Sequence, residues 1–111
     1  MSEYVDYLEE VFDSFGPVTA RKMFGGYGIY HEGVMFGLVA DDTLYLKADA
    51  VNSADFRKEG LEQFQYSKSG KLIRMSYYEA PERIMEDRDE AAIWAHRSFE
   101  AALRARTSKR G

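Results

Sequence analysis

Gly25, Gly26 and Gly28, with Arg21 and Lys22 just before them, are the residues of this 111-residue chain most like a ligand loop. Glycines let backbone amides approach a phosphate closely. A phosphate loop, however, opens a helix whose N-terminus holds the anion, and here strand-like sequence stands on both sides. The spacing is neither a Walker motif nor the dinucleotide fingerprint. A tight bend or bulge inside a sheet is therefore the better explanation. His31 and His96 show no zinc-site spacing and read as surface histidines. Asp41-Asp42 has the look of a metal-binding pair, but aspartates are expected in a tight turn because they bond their own backbone. No serine lies in a nucleophile elbow. Glu79, Glu82, Glu86, Asp87, Asp89 and Glu90 most simply mark the start of a helix. No catalytic, cofactor-binding or metal-binding residue is assigned, and the chain is expected not to be an enzyme.

Arg21, Lys47, Lys71 and Arg74 fall on or beside strand-like runs, and Tyr77 and Tyr78 end one of them. Some folds bind single-stranded nucleic acid by stacking on such a surface. The formal net charge of −4 argues against it, since phosphate neutralisation by Lys and Arg carries most non-specific affinity. Direct DNA binding is not expected. The charge is uneven: Glu3, Asp6, Glu9, Glu10 and Asp13 precede the first basic residue, Arg21, whereas Arg97, Arg104, Arg106, Lys109 and Arg110 crowd the end against Glu100. This reads either as two solvated helix faces with a frayed tail, or as a tail that touches an acidic partner or a phosphate backbone.

The elements that carry these residues follow from periodicity. Ser2 caps a first helix with Tyr4, Leu8, Val11, Phe12 and Phe15 on one face, ended by Gly16-Pro17. Strands are expected over Val18 to Phe24, resuming at Ile29-Tyr30 after the glycines, then over Val34 to Ala40 and Thr43 to Lys47. His31-Glu32-Gly33 and Asp41-Asp42 are the turns between them. Asp49 to Gly60 reads as a helix with Ala50, Ala54 and Phe56 as its apolar side. Phe64 to Ser67 and Lys71 to Tyr78 pair through Ser69-Gly70, with Ile73, Met75 and Tyr77 on one face. Asp87 and Glu90 have capping-box spacing for a last helix to about Arg106, whose stripe is Ala92, Ala95, Phe99, Ala102 and Leu103, flanked by Ile93 and Trp94. Met23, Phe24, Phe36, Leu44 and Leu46 are expected in the core.

This order predicts an α+β, two-layer sandwich: a mostly antiparallel sheet of five to six strands with helices on one face. Residues 1–106 form one domain and 107–111 a flexible basic tail. The hydrophobic fraction of 45% supplies one core. There is no cysteine, which excludes disulfides and thiolate chemistry and fits a reducing compartment. No signal peptide and no apolar run of about 20 residues is present, so a cytoplasmic protein without membrane attachment is expected. The uncovered sheet face must meet solvent or a partner, and Tyr27, Tyr30, Tyr45, Tyr66 and Tyr78 are candidates for it.

The run Arg21-Lys22-Met23-Phe24-Gly25-Gly26-Tyr27-Gly28-Ile29-Tyr30 resembles the opening signature of the TfoX/Sxy N-terminal domain. Gly33, Phe36, Leu38-Val39, Asp41-Asp42, Leu44-Tyr45-Leu46-Lys47 and Asp49 continue the pattern in order. So do Phe64, Tyr66, Gly70-Lys71, Met75-Ser76-Tyr77-Tyr78, Pro81 and Trp94. The resemblance implies a two-layer α/β sandwich similar to type III secretion chaperones. It also implies the role of the founding members, which regulate natural competence as co-activators with a cyclic-AMP-receptor-type transcription factor. Those proteins carry a second, C-terminal domain; this chain is expected to be the first domain standing alone. The resemblance brings no catalytic set and no cofactor. The expected function is a non-enzymatic protein-interaction module, with Arg21, Lys22, Tyr27, Tyr45, Lys47, Tyr77 and Tyr78 as candidate surface. Its partner would be transcription machinery or a cyclic-AMP-receptor-type regulator. The alternative is a small-molecule or nucleotide sensor using the Gly25–Gly28 loop. A homodimer through the open sheet face or the helices is also expected.

Overall fold

Ser2 opens the first helix as its cap: its hydroxyl accepts from the Val5 amide at 3.2 Å. A computed structural model describes residues 2–23 and 25–110, with side chains through Thr107. Phe24 and the tail residue Gly111 lie outside the described residues. Helix α1 (Glu3–Val11) stops before Gly16-Pro17, and a turn at residues 12–15 carries the chain to them. It buries Val5, Leu8 and Val11, with Phe12 just beyond.

Six strands follow in the expected order: β1 (Thr19–Met23), β2 (Gly26–His31), β3 (Val34–Ala40), β4 (Thr43–Lys47), β5 (Gln63–Lys68) and β6 (Lys71–Glu79). They form one antiparallel sheet, β1-β2-β3-β4-β6-β5, so β1 and β5 are its edges. Three two-residue turns fix the register. Glu32-Gly33, Asp41-Asp42 and Ser69-Gly70 have positive φ at both central positions, the conformation whose twist matches the flanking strands. Asp41-Asp42 is thus a turn, as its residues indicated.

One irregularity decides which side chains face where. Ile29 pairs with Gly37 and Tyr30 with Met35, so Phe36 is an extra residue in β3, a bulge. Phe36 therefore turns to the helices, with its ring 5.6 Å from Phe12 and 5.3 Å from Phe15. Gly37 faces the same way, toward Leu46 and Ile29.

Helices α1, α2 (Ser53–Lys58) and α3 (Arg88–Arg110) cover one face of the sheet, and a 3₁₀ helix (Glu82–Glu86) precedes α3. The α+β sandwich is the one expected. The core joins Leu8, Phe12, Phe36, Leu46, Phe56, Ile84 and Trp94 among others. Three local readings change. Helix α2 is shorter than Asp49–Gly60, and Ala50 and Ala54 are exposed; Phe56 is its buried residue. Helix α3 buries Ala91, Trp94, Ala95, Ser98, Ala101 and Ala102, so the stripe is rotated and leaves Ile93 and Leu103 exposed. The helix also continues past Arg106 to Arg110. Asp87 does cap it, accepting from the Glu90 amide at 3.1 Å.

Asp49 and Asn52 hold the corner between β4 and α2. Asn52, buried, accepts from the Asp49 amide at 2.8 Å and donates to the Lys47 carbonyl at 3.1 Å. The Asp49 carboxylate accepts from Val51 at 2.9 Å and takes Arg104 of α3 in a two-point pair at 2.7 and 3.0 Å. The Arg104 bond, helped by the two backbone amides, holds the Asp49 carboxyl below its ordinary value although burial opposes this. A carboxyl lowered in the folded state stabilises fully above its unfolded value and loses that contribution as pH falls. The D49N variant keeps the amide acceptor but loses the charge. Its melting temperature is expected to lie below that of the native chain at pH 7, with the gap closing below about pH 4. Thermal melts across pH 2.5 to 7 check this; a constant gap would contradict it.

Candidate functional site

Strand alternation sends every second side chain away from the helices, and on this chain that side is aromatic and sulfur-rich. Met23, Tyr30 and Met35 crowd the position of Gly28. Next come Leu38 and Tyr45, directly opposite one another on β3 and β4. Tyr45 meets Phe64 at 4.7 Å between ring centres, and Phe64 meets Tyr66 at 6.1 Å. Tyr77 completes the surface. Leu38 and Tyr77 are only 6% and 7% exposed, yet neither belongs to the helix-side core. They are covered by their neighbours on the open face.

Two cations lie on this surface. Arg21 stands over the Tyr30 ring at 5.0 Å, and Lys47 over the Tyr77 ring at 5.2 Å. Such contacts hold charge beside an apolar patch without burying it. The Lys47 ammonium also donates to the Ser76 hydroxyl at 2.6 Å. Burial, with a smaller effect of the Tyr30 phenol, pushes the Tyr77 hydroxyl up to about 12. Burial, then Glu79, raises Tyr45 as well. Both phenols are neutral donors at pH 7, the polar handle that suits tyrosine to interfaces.

Of the seven candidate surface residues, the fold gathers Arg21, Tyr45, Lys47 and Tyr77 on this face. It sends three elsewhere. Tyr27 packs against the helix-side core, with Lys22 opposite it in register. Tyr78 also turns to the core and stacks on Phe56 at 5.3 Å. Neighbours along a strand point to opposite faces, so Tyr77 and Tyr78 cannot share one. Met23 moves the other way, from expected core to the open face. Met35, Leu38 and Phe64 are open-face residues that the sequence reading did not name, whereas Tyr30 was among those expected on the uncovered face. The bulge at Phe36 hides Leu38 from a simple alternation count, which would place it beside Phe36 in the core.

The glycine run is not an open cradle. Met23 pairs with Gly26, so the connection spans two residues, and Gly26 and Gly28 lie within β2. Their missing side chains are filled by the Val39 carbonyl and by Met23, Tyr30 and Met35. The bend is confined to the connection before Gly26; contrary to expectation, Gly26, Tyr27 and Gly28 do not interrupt the strand but open β2, and the phosphate-loop reading loses its geometry. His31 is not an ordinary surface histidine. Its ring is largely covered between Phe15 at 4.5 Å and Phe99 at 5.0 Å, and its Nδ1–H donates to the Pro17 carbonyl at 2.7 Å. His96 is exposed and faces Glu100 at 3.5 Å. Arg97 and Arg104 of the basic end are engaged by Asp55 and Asp49. In the acidic cluster, Arg83 bridges Glu59 and Glu90, and Glu90 also accepts from the Trp94 indole at 3.3 Å. Those bonds raise the Arg83 guanidinium and lower both carboxyls. Within the cluster, Glu90 is thus ion-paired and Asp87 caps α3. No helix among the described residues is long and apolar enough to cross a membrane.

Residues 10–102 match the family profile of the TfoX N-terminal domain. The chain is 34% identical over 82 residues to the DNA transformation protein TfoX1 of Aliivibrio fischeri, covering 70% of this chain and 39% of that protein. It is 31% identical over 80 residues to the DNA transformation protein TfoX of Haemophilus influenzae, covering 70% and 37%. It is 24% identical over 101 residues to protein Sxy of Escherichia coli, covering 91% and 48%. The chain thus spans between about two-fifths and half of the length of these relatives. With a match across most of its length, and with the strand order built from the residues that carry it, the chain belongs to the TfoX N-terminal domain family.

Proposed function

We propose that the chain is a non-enzymatic, cytoplasmic protein-interaction module of the competence-regulator type, and that it docks its partner on the open face of the sheet. The observation that carries this reading is the half-buried run of Met23, Tyr30, Met35, Tyr45 and Phe64, seated on the buried Leu38 and Tyr77 and rimmed by Arg21 and Lys47. Aromatic residues, methionine and arginine are the types enriched where proteins meet. Two relatives are named as DNA transformation proteins, which favours a regulatory role. The first partner to try is a cyclic-AMP-receptor-type transcription factor, taken from the same cell.

Titration calorimetry with that purified factor tests the reading. The native chain is expected to bind, and the Y30S/Y45S variant to bind at least about 30-fold more weakly, since one central aromatic contact is commonly worth 2 kcal/mol or more. Circular dichroism of the variant checks that its fold persists. Equal affinity of the two proteins would remove the open face as the docking site.

A further inference from the structure

The edge strand β5 is chemically self-complementary, and we infer that two copies of the chain pair through it, antiparallel, into one continuous twelve-stranded sheet. Across residues 62–68 the sequence runs Glu62, Gln63, Phe64, Gln65, Tyr66, Ser67, Lys68. A two-fold axis at Gln65 sets Glu62 against Lys68 of the second copy, Phe64 against Tyr66, and Gln63 against Ser67. Gln65 meets itself. Opposite charges and paired aromatics are the cross-strand combinations that stabilise a sheet. Phe64 and Tyr66 share the open face, and Glu62 lies close enough to Tyr45 to raise its phenol. The aromatic pair and the ion pair therefore fall on one side, and the polar Gln63, Gln65 and Ser67 on the other.

The hydrogen-bonding pattern selects the same register. Ser69-Gly70 is a two-residue turn that closes on the Lys68–Lys71 pair, and such a turn closes with a hydrogen bond between its end residues. Alternation then commits the backbone groups of Lys68 and Tyr66 to β6 and turns those of Gln65 and Ser67 outward. An axis at Gln65 uses those outward groups; an axis at Tyr66 does not. Phe64 and Tyr66 become a pair without mutual backbone bonds, in which side chains approach most closely.

The other edge is protected against the same event. Antiparallel self-pairing of β1 about Arg21 would set Arg21 on its own copy and Ala20 against Lys22, and charge within an edge strand blocks such pairing. Edge β5 has no proline and one cation, at its end. Among the described residues neither Glu62 nor Lys68 has an ion-pair partner. The two-fold relation closes the assembly at two copies. It also sets both aromatic faces side by side. The inference does not depend on the docking reading.

Sedimentation equilibrium over a concentration series tests it, using the full native chain and the E62K and K68E variants. The native chain is expected to associate to twice its 12.8 kDa mass. Each single variant places like charges opposite one another at both ends of the interface, and is expected to dissociate at least about tenfold more readily. Mixing E62K with K68E in equal amounts restores both attractions and is expected to recover the dimer. Both sites are exposed, and circular dichroism confirms that the variants fold. A chain that stays monomeric at high concentration overturns the inference. So does a dimer indifferent to the two charge changes, or a mixture no tighter than either variant alone.

Discussion

Alanine at Gly26 is expected to cost more than about 3 kcal/mol, and alanine at Gly28, two residues on, to cost within about 1 kcal/mol. Overall fold stability is commonly about 5–15 kcal/mol, so the first change removes a large share and the second little. A β-carbon on Gly26 would run into the Val39 carbonyl oxygen and stand 3.3 Å from its carbon. Both are backbone atoms of the central strand β3, held by β2 and β4, and cannot rotate aside. A β-carbon on Gly28 would also be crowded, at 2.9 Å from the Met23 Sδ and the Tyr30 Cε1 and 3.2 Å from the Met35 Sδ. Two of those three atoms are the ends of methionines, which repack readily. Alanine also removes part of the entropy that glycine loses on entering a strand. Urea denaturation of G26A and G28A checks the contrast. Similar losses for both would mean that the run is constrained by conformation rather than by contact.

The second large effect is expected at Phe36. Truncation to alanine should cost about 3–5 kcal/mol, the usual range for a buried phenylalanine. Its ring is fully buried and meets Phe12 edge-on at 5.6 Å and Phe15 at 5.3 Å; Phe15 in turn meets Phe99 at 5.9 Å. One side chain thus ties the middle of the sheet to α1, to the turn after it and, through Phe15, to α3. Leu38 lies on the other face and is covered only by its strand neighbours. The L38A variant should fall at the lower end of a leucine truncation, about 2–3 kcal/mol. The same denaturation measurement decides; a larger loss at Leu38 than at Phe36 would place the main core on the wrong side of the sheet.

Local chemistry made the sheet legible and non-local packing hid its faces. Turn residues announce themselves, and Glu32-Gly33, Asp41-Asp42 and Ser69-Gly70 gave the strand ends beside them within a residue or two, whereas β2 starts at Gly26, three residues before the expected Ile29. Ser2 and Asp87 announced two helix starts for the same reason. The bulge at Phe36 has no such marker, since it exists only in the pairing of β2 with β3, and it reverses the count for Leu38. Helix α2 is overread because Asn52 spends its side chain on the Asp49 amide and the Lys47 carbonyl, a local bond that competes with helix. The phase of α3 is blurred by alanines, which pack as readily at the centre of an interface as at its margin. His31 looked like a turn residue because its covering rings, Phe15 and Phe99, come from elements 16 residues before and 68 after it. The candidate surface was half legible: its tyrosines were found, but their division between the two faces depends on the register of β4 with β6.

Nuclease-treated affinity capture from native extract, run in parallel with the native chain and with Y30S/Y45S, tests the docking claim most directly. The account predicts that a transcription factor or an RNA polymerase subunit is retained by the native chain and lost from the variant. The same proteins held equally by both, or none held by either, would contradict it.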